Sequence, residues 1–156
     1  MANAIELLPA NLQNTLNQIV DRVNKANGGI NVILLSTAEG VPLGRVYADR
    51  SAQLNEEVLA SIESTWAPAS KQFSLLDLGK EAKVVTAIYD HGTILHVYEA
   101  PVVVTILVAQ NANLGAVRST AIPLLKEALL PLCTTLLNSL APQEADPSYP
   151  AQAYYQ

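Results

Sequence analysis

Two segments of this chain are apolar with almost no alternation. Residues 30–36 read INVILLS and residues 102–109 read VVVTILVA. In the first, Ile30, Val32 and Leu34 are expected on one side, with Ile33 and Leu35 on the other. A strand that is apolar on both faces has to be covered on both, so each segment is predicted to lie centrally in a sheet with helices above and below. The chain between Ser36 and Asp49, STAEGVPLGRVYAD, then turns at Gly40, the natural holder of a positive φ angle. It returns as a second strand over residues 41–48 that contains Pro42 and Gly44. Proline lacks the N–H that a ladder needs and is confined to edges or strand ends. The second strand is therefore expected at a sheet edge, hairpinned to a central one.

Helical spacing fills the intervals. Leu12, Leu16, Ile19, Val20 and Val23 recur on one side of residues 10–25, and the helix should stop at Asn27-Gly28-Gly29. A second helix is predicted over residues 54–73, with Val58, Leu59, Ile62, Trp66, Ala69 and Phe73 at that spacing. Glu56 and Glu57 sit in its first turn, where the helix dipole favours them. Pro68 should kink or interrupt it between Ser64 and Ala67. Strands 3 and 4 follow at residues 82–89 and 93–98, joined by Asp90-His91-Gly92. A third helix begins after NANLG and runs to about Leu140, with Val117, Leu125, Ala128, Leu129, Leu132, Leu136 and Leu140 inward. Bends are expected at Pro123 and Pro131. The tail APQEADPSYPAQAYYQ, residues 141–156, is proline-rich without periodicity and is expected to be disordered, leaving residues 1–140 as the domain.

Two central strands and one marked edge favour an α/β (α+β) sandwich with a five-stranded antiparallel sheet in the order 2-1-5-4-3. Helix 2 would cover one face, and helices 1 and 3 the other. Strand 3 is then the second edge. It has no proline or glycine and only Lys83 as a guard, so its backbone is free to pair with another chain.

The formal net charge of −5, with nine scattered Lys and Arg, argues against nucleic acid as a partner, since such proteins present a basic stripe. The single cysteine, Cys133, cannot form an internal disulfide, and no Cys/His spacing suits zinc. Residues 1–10 have no basic stretch before an apolar core, and Ala2 follows Met1, so neither a secretory signal nor myristoylation is expected. The apolar run around residues 121–140 carries Lys126, Glu127 and two prolines and reads as a packed helix rather than a membrane span. A soluble, cytosolic protein is the expectation.

The sequence holds no GxxxxGK[ST], GxGxxG, HExxH or GxSxG motif. His91 falls in a turn and His96 within strand 4, and each reads as structural or solvated. Cys133 lies among leucines, where a buried thiol is inert. Glu56 and Glu57 diverge by about 100° on a helix and form a solvated first turn rather than a carboxylate pair. No catalytic residue, metal site or cofactor is expected. Trp66 has two places open to it: the core beneath helix 2, or a seam with a partner, where Trp is enriched.

Three blocks, VILLSTAEGVPLGRV, SIESTWAPASKQFSLLDLG and EAPVVVTILVAQNANLGAV, resemble the roadblock (dynein light chain) superfamily. Within it they resemble most the MAPK-scaffold subunits of the late endosomal and lysosomal adaptor complex, Ragulator. The resemblance implies non-enzymatic work. Family members pair through helix 2 and strand 3 so that two sheets join. Here that interface would take Leu59, Ile62 and Trp66 from the helix, with Lys83, Val85, Ala87 and Tyr89 from the strand. The partner implied is another roadblock-fold subunit. The complex recruits Rag-type small GTPases for TOR signalling at the cytosolic face of late endosomes and lysosomes, and can scaffold a MAP kinase kinase and its kinase. Membrane contact would come only through a lipidated partner. The other reading implied is a homodimeric roadblock protein, serving as a dynein light chain or a small-GTPase regulator.

Overall fold

A computed structural model describes residues 8–49 and 54–140. The elements run α1 (Ala10–Lys25), β1 (Ile30–Thr37), β2 (Pro42–Tyr47), α2 (Glu56–Glu63), α3 (Trp66–Ser74), β3 (Val84–Tyr89), β4 (Gly92–Glu99), β5 (Val102–Ala109), α4 (Leu114–Ala116), a π-helical turn (Val117–Ala121) and α5 (Ile122–Leu140). The five strands form one sheet in the order β2-β1-β5-β4-β3, every neighbouring pair antiparallel. The two-sided strands β1 and β5 lie centrally, and β2 with Pro42 is an edge, as the apolar pattern requires.

The larger core layer lies between the sheet and α1 with α5. There Leu16, Val20, Ile33, Leu35, Ile106, Leu125 and Leu129 are buried together. The smaller layer, built on Val32, Leu34 and Leu59, lies under α2. Ile30 departs from the expected alternation. It belongs with Ile33 and Leu35 in the larger layer because the β1–β5 register shifts between Ile30 and Val32. One extra residue at Asn31 reverses the face on which its predecessor points.

The two unusual residues of β2 have separate reasons. Pro42 is exposed at the edge. Gly44 is buried because the Leu8 side chain lies across it: a Cβ added there would come within 2.3 Å of Leu8 Cδ1. Gly40 takes φ +92° in the hairpin turn, against the end of α2.

Pro68 divides the predicted second helix into α2 and α3, with the break at Ser64 and Thr65. It becomes the third residue of α3, where backbone N–H groups have no intrahelical acceptor, so its missing donor is harmless. Pro123 is preceded by the π turn. Its ring would strike the Ser119 carbonyl in a regular α turn, and the wider turn removes that clash. Pro131 lies inside α5 without ending it. Residues 114–140 are long and apolar enough to cross a membrane by length and composition, yet Val117, Leu125 and Leu129 pack against the sheet. Leu140, placed inward by its spacing, is 71% exposed, and the packed side of α5 ends at Leu136. Residues 141–156, expected to form a disordered tail, lie outside the described residues.

Candidate partner interface

Among the described residues the β3 edge is open in a specific way. Tyr98 N–H donates to the Lys83 carbonyl at 2.9 Å, and β3 pairs with β4 in the continuing register Val84 to Val97, Val85 to His96 and on to Tyr89 with Gly92. In an antiparallel pair, bonded and non-bonded residue pairs alternate. Lys83, Val85, Ala87 and Tyr89 therefore direct their backbone groups at β4. The N–H and C=O groups of Val84, Thr86 and Ile88 point out of the sheet, ready for another strand.

On the α2 side of this edge lies a groove of about 520 Å³, lined by Val58, Ile62, Ala69, Val85, Ala87 and Ile94, with Tyr89 at its end and Glu57 on its rim. Ile62, Val85 and Ala87 are half-buried, Tyr89 and Lys83 exposed. The structure thus brings Ile62, Val85, Ala87 and Tyr89 to one open apolar surface, with Lys83 just before the strand. Leu59 and Trp66 are elsewhere: Leu59 is fully buried against Val32 and Leu34, and Trp66 is 2% exposed. Both support the groove from beneath. Val58 and Ala69 were missed as surface, although Val58, Ile62 and Ala69 form a stripe that a two-sided helix could have suggested.

Beneath α2 the packing turns polar. Arg45 on β2 donates through Nη2 to Glu63 Oε1 at 2.6 Å, through Nε to the same oxygen at 3.1 Å, and through Nη1 to Glu56. Glu63 is buried, and its second oxygen finds no partner among the described residues. Burial alone would lower the Arg45 pKa, but hydrogen bonds to Glu56 and Glu63 outweigh it and hold the guanidinium charged. Burial pushes the Glu63 carboxyl up, opposed by the Arg45 hydrogen bond and charge. With a guanidinium nitrogen at 2.6 Å, the carboxyl is ionised. This pair ties α2 to the sheet beside the groove.

His96 forms the inner wall. Thr65 Oγ1 donates to the Ile62 carbonyl at 2.7 Å, so it accepts from His96 Nε2 at 3.0 Å. Nδ1 in turn accepts from the Thr105 hydroxyl at 2.9 Å. The neutral ring is fully satisfied, and burial lowers its pKa. The unfolded chain therefore binds the proton first as pH falls. Stability is present in full above about pH 6.5 and is lost as pH drops below it. Melting temperature should fall between pH 7.5 and 5.5 more steeply in the wild type than in His96→Gln. Equal slopes would mean that other groups carry the loss.

Trp66 stacks on Tyr98 with ring centres 5.5 Å apart and tilts against His96 at 6.2 Å. Cys133 is buried, its Sγ at 3.4 Å from the Glu99 carbonyl. Burial, with the Glu99 charge, pushes the thiol up and away from reactivity. Among the described residues no group of three or more His, Cys, Asp and Glu side chains is arranged to hold a metal ion.

Residues 10–133 match the family described as mitogen-activated protein kinase kinase 1 interacting. That span exceeds half the chain. The chain belongs to this family. No curated protein is similar in sequence. Among solved structures, the gliding protein MglB of Thermus thermophilus is 12% identical with a TM-score of 0.66, over 84% of this chain and 97% of the other. Myxococcus xanthus MglB is 16% identical with a TM-score of 0.60, over 88% and 98%. A roadblock/LC7 domain from Streptomyces avermitilis is 9% identical with a TM-score of 0.56, over 74% and 95%. At these identities the likeness shows the fold alone, and it is the roadblock/LC7 fold. Membership of the kinase kinase 1 interacting family and this fold together make the chain a small adaptor or scaffold.

Proposed function

We propose that this chain is a non-enzymatic adaptor subunit that joins another roadblock-fold subunit through the β3 edge and the groove under α2. The observation that carries the reading is that edge: outward backbone groups left unpaired among the described residues, beside an apolar groove, a combination that soluble chains otherwise avoid. A heterodimer of this kind belongs in a Ragulator-like complex at the cytosolic face of late endosomes or lysosomes, brought to the membrane by a lipidated partner. There it would recruit Rag-type small GTPases for TOR signalling. The family description supports a MAP kinase kinase as a further partner.

The test is association of the purified chain with a candidate roadblock-fold subunit, followed by titration calorimetry and circular dichroism. Ala87→Asp places a charge in the groove at a half-buried site. It should weaken association by about 30-fold or more, the effect of a hot spot worth about 2 kcal/mol, while ellipticity stays native. Unchanged affinity in a folded Ala87→Asp chain would put the partner surface elsewhere.

A further inference from the structure

Residues 71–83, KQFSLLDLGKEAK, join α3 to β3 and carry more exposed apolar surface than a soluble chain leaves without a use. Leu75, Leu76 and Leu78 are 78%, 59% and 89% exposed. No other four successive described residues hold three large apolar side chains so far out of the core. Backbone geometry keeps them there. The Leu75 and Leu76 N–H groups donate to the Gln72 and Phe73 carbonyls at 3.2 and 3.1 Å, closing the last turn of α3. Asp77 then takes φ +53° and Gly79 φ +139°, so Leu78 stands between two residues of positive φ. Asp is among the few side chains that accept that region, and a Cβ on residue 79 would be strained there. The chain thus reverses on either side of Leu78 and presents it outward. Beside it an apolar recess of about 410 Å³ opens between Phe73, Leu76, Leu78 and Val84.

Cations flank this leucine knuckle along the chain. Three of the five lysines, Lys71, Lys80 and Lys83, fall within the same thirteen residues, and all three are exposed. None is in an ion pair among the described residues. Asp77 and Glu81 leave the segment one positive charge in a chain whose formal net charge is −5. Apolar tips between free ammonium groups match a surface that is anionic outside and hydrocarbon within. Leucines enter the acyl boundary, while lysine stems lie along it with their heads among the headgroups. Lysines without the leucines would suit any anion, and leucines without the lysines an apolar protein groove. The two together suit an anionic bilayer. We propose that residues 71–83 contact an anionic lipid surface directly, Leu75, Leu76 and Leu78 entering it and Lys71, Lys80 and Lys83 meeting its headgroups. The contact goes beyond the anchoring given above to a lipidated partner, and it uses no part of the β3 ladder. A short apolar insertion with three cations falls short of a stable anchor, so it binds reversibly and adds to whatever else holds the chain at the membrane.

The experiment is co-sedimentation of the purified chain with phosphatidylcholine vesicles, pure or carrying about 30% phosphatidylserine. Binding should be about fivefold or more stronger to the anionic vesicles. Raising salt from about 0.05 to 0.5 M should remove most of that gain. Leu78→Asp and Lys80→Glu should each weaken binding about fivefold or more, the second by removing a lysine from the surface. Both sites are exposed, so circular dichroism of both variants should stay native. Leu130→Asp changes a leucine that is 64% exposed on α5 and should leave vesicle binding unchanged. Equal binding to the two vesicles, no binding to either, or a loss in Leu130→Asp as large as in Leu78→Asp would overturn the proposal. Each of those results leaves the β3 reading intact, because subunit capture and Ala87→Asp test that reading without lipid.

Discussion

Arg45→Met should destabilise the chain by about 3–5 kcal/mol, the range for removing one partner of a buried ion pair. The loss should exceed that of almost any surface change. Arg45 and Glu63 are nearly inaccessible, and the Glu63 carboxylate has no donor other than Arg45 among the described residues. Without the guanidinium, a charge stays buried and unpaired under α2. For a domain of this size the melting temperature should drop by about 6–20 °C. Two further measurements separate this cause from lost packing. Arg45→Met with Glu63→Leu should recover most of the loss, because apolar replacement of a whole buried pair is often neutral or stabilising. In Arg45→Met alone, the orphaned carboxyl has a folded pKa above its unfolded value. Its penalty therefore grows as pH rises through the carboxylate range and shrinks as pH falls. The deficit relative to the wild type should be smaller at pH 5 than at pH 7. A single variant with native stability, or a double variant no better than the single, would show that the pair contributes little to holding α2.

The sequence carried the architecture because two strands, residues 30–36 and 102–109, are apolar on both faces and one strand contains Pro42. Those features leave few ways to order five strands, and the observed order is among them. What it concealed was decided by contacts distant along the chain. Nothing local marks the shift at Asn31 that returns Ile30 to the larger layer. Gly44 stands in an expected edge strand with nothing nearby in the sequence to show that Leu8 lies over it. Nothing in the sequence links Arg45 to Glu63, 18 residues apart, and only folding the β1–β2 hairpin under α2 makes them a buried pair. The groove beside β3 was legible at the level of elements and less so for single residues. Helical spacing marks Leu59, Ile62 and Trp66 as apolar, but a helix lying between a sheet and an open groove has two apolar sides. The spacing alone does not say which residue faces which. For β3, Val85, Ala87 and Tyr89 came from the resemblance, and the structure places all three along one groove. Which backbone groups remain unpaired required the bond between Tyr98 and Lys83.

Trp66→Ala should cost about 3–5 kcal/mol of folding stability, the range for deleting a large buried aromatic, and Trp66→Glu should leave the chain largely unfolded. Trp66 offered two readings from sequence, as part of the core or of a partner seam, and its surroundings decide between them. It begins α3 just after the break forced by Pro68, stacks on Tyr98 and leans on His96, and is almost fully enclosed without any partner present. Truncation would open a cavity under α3 and remove the wall behind Thr65 and His96, so the groove should lose its shape as the domain loses stability. Val58, on α2, faces the groove and is 53% exposed, so Val58→Asp should weaken pairing while leaving the melting temperature within about 1–2 °C of the wild type, as a surface change does. Thermal melts by circular dichroism, run beside partner titrations of both variants, give the two readouts independently. A further check needs no mutation. Emission from a tryptophan enclosed within its own subunit should stay at the same blue-shifted maximum when the partner is added. A Trp66→Ala chain that melts like the wild type but no longer pairs, or a clear emission shift on pairing, would place Trp66 in the seam and require α3 to move aside when the partner docks.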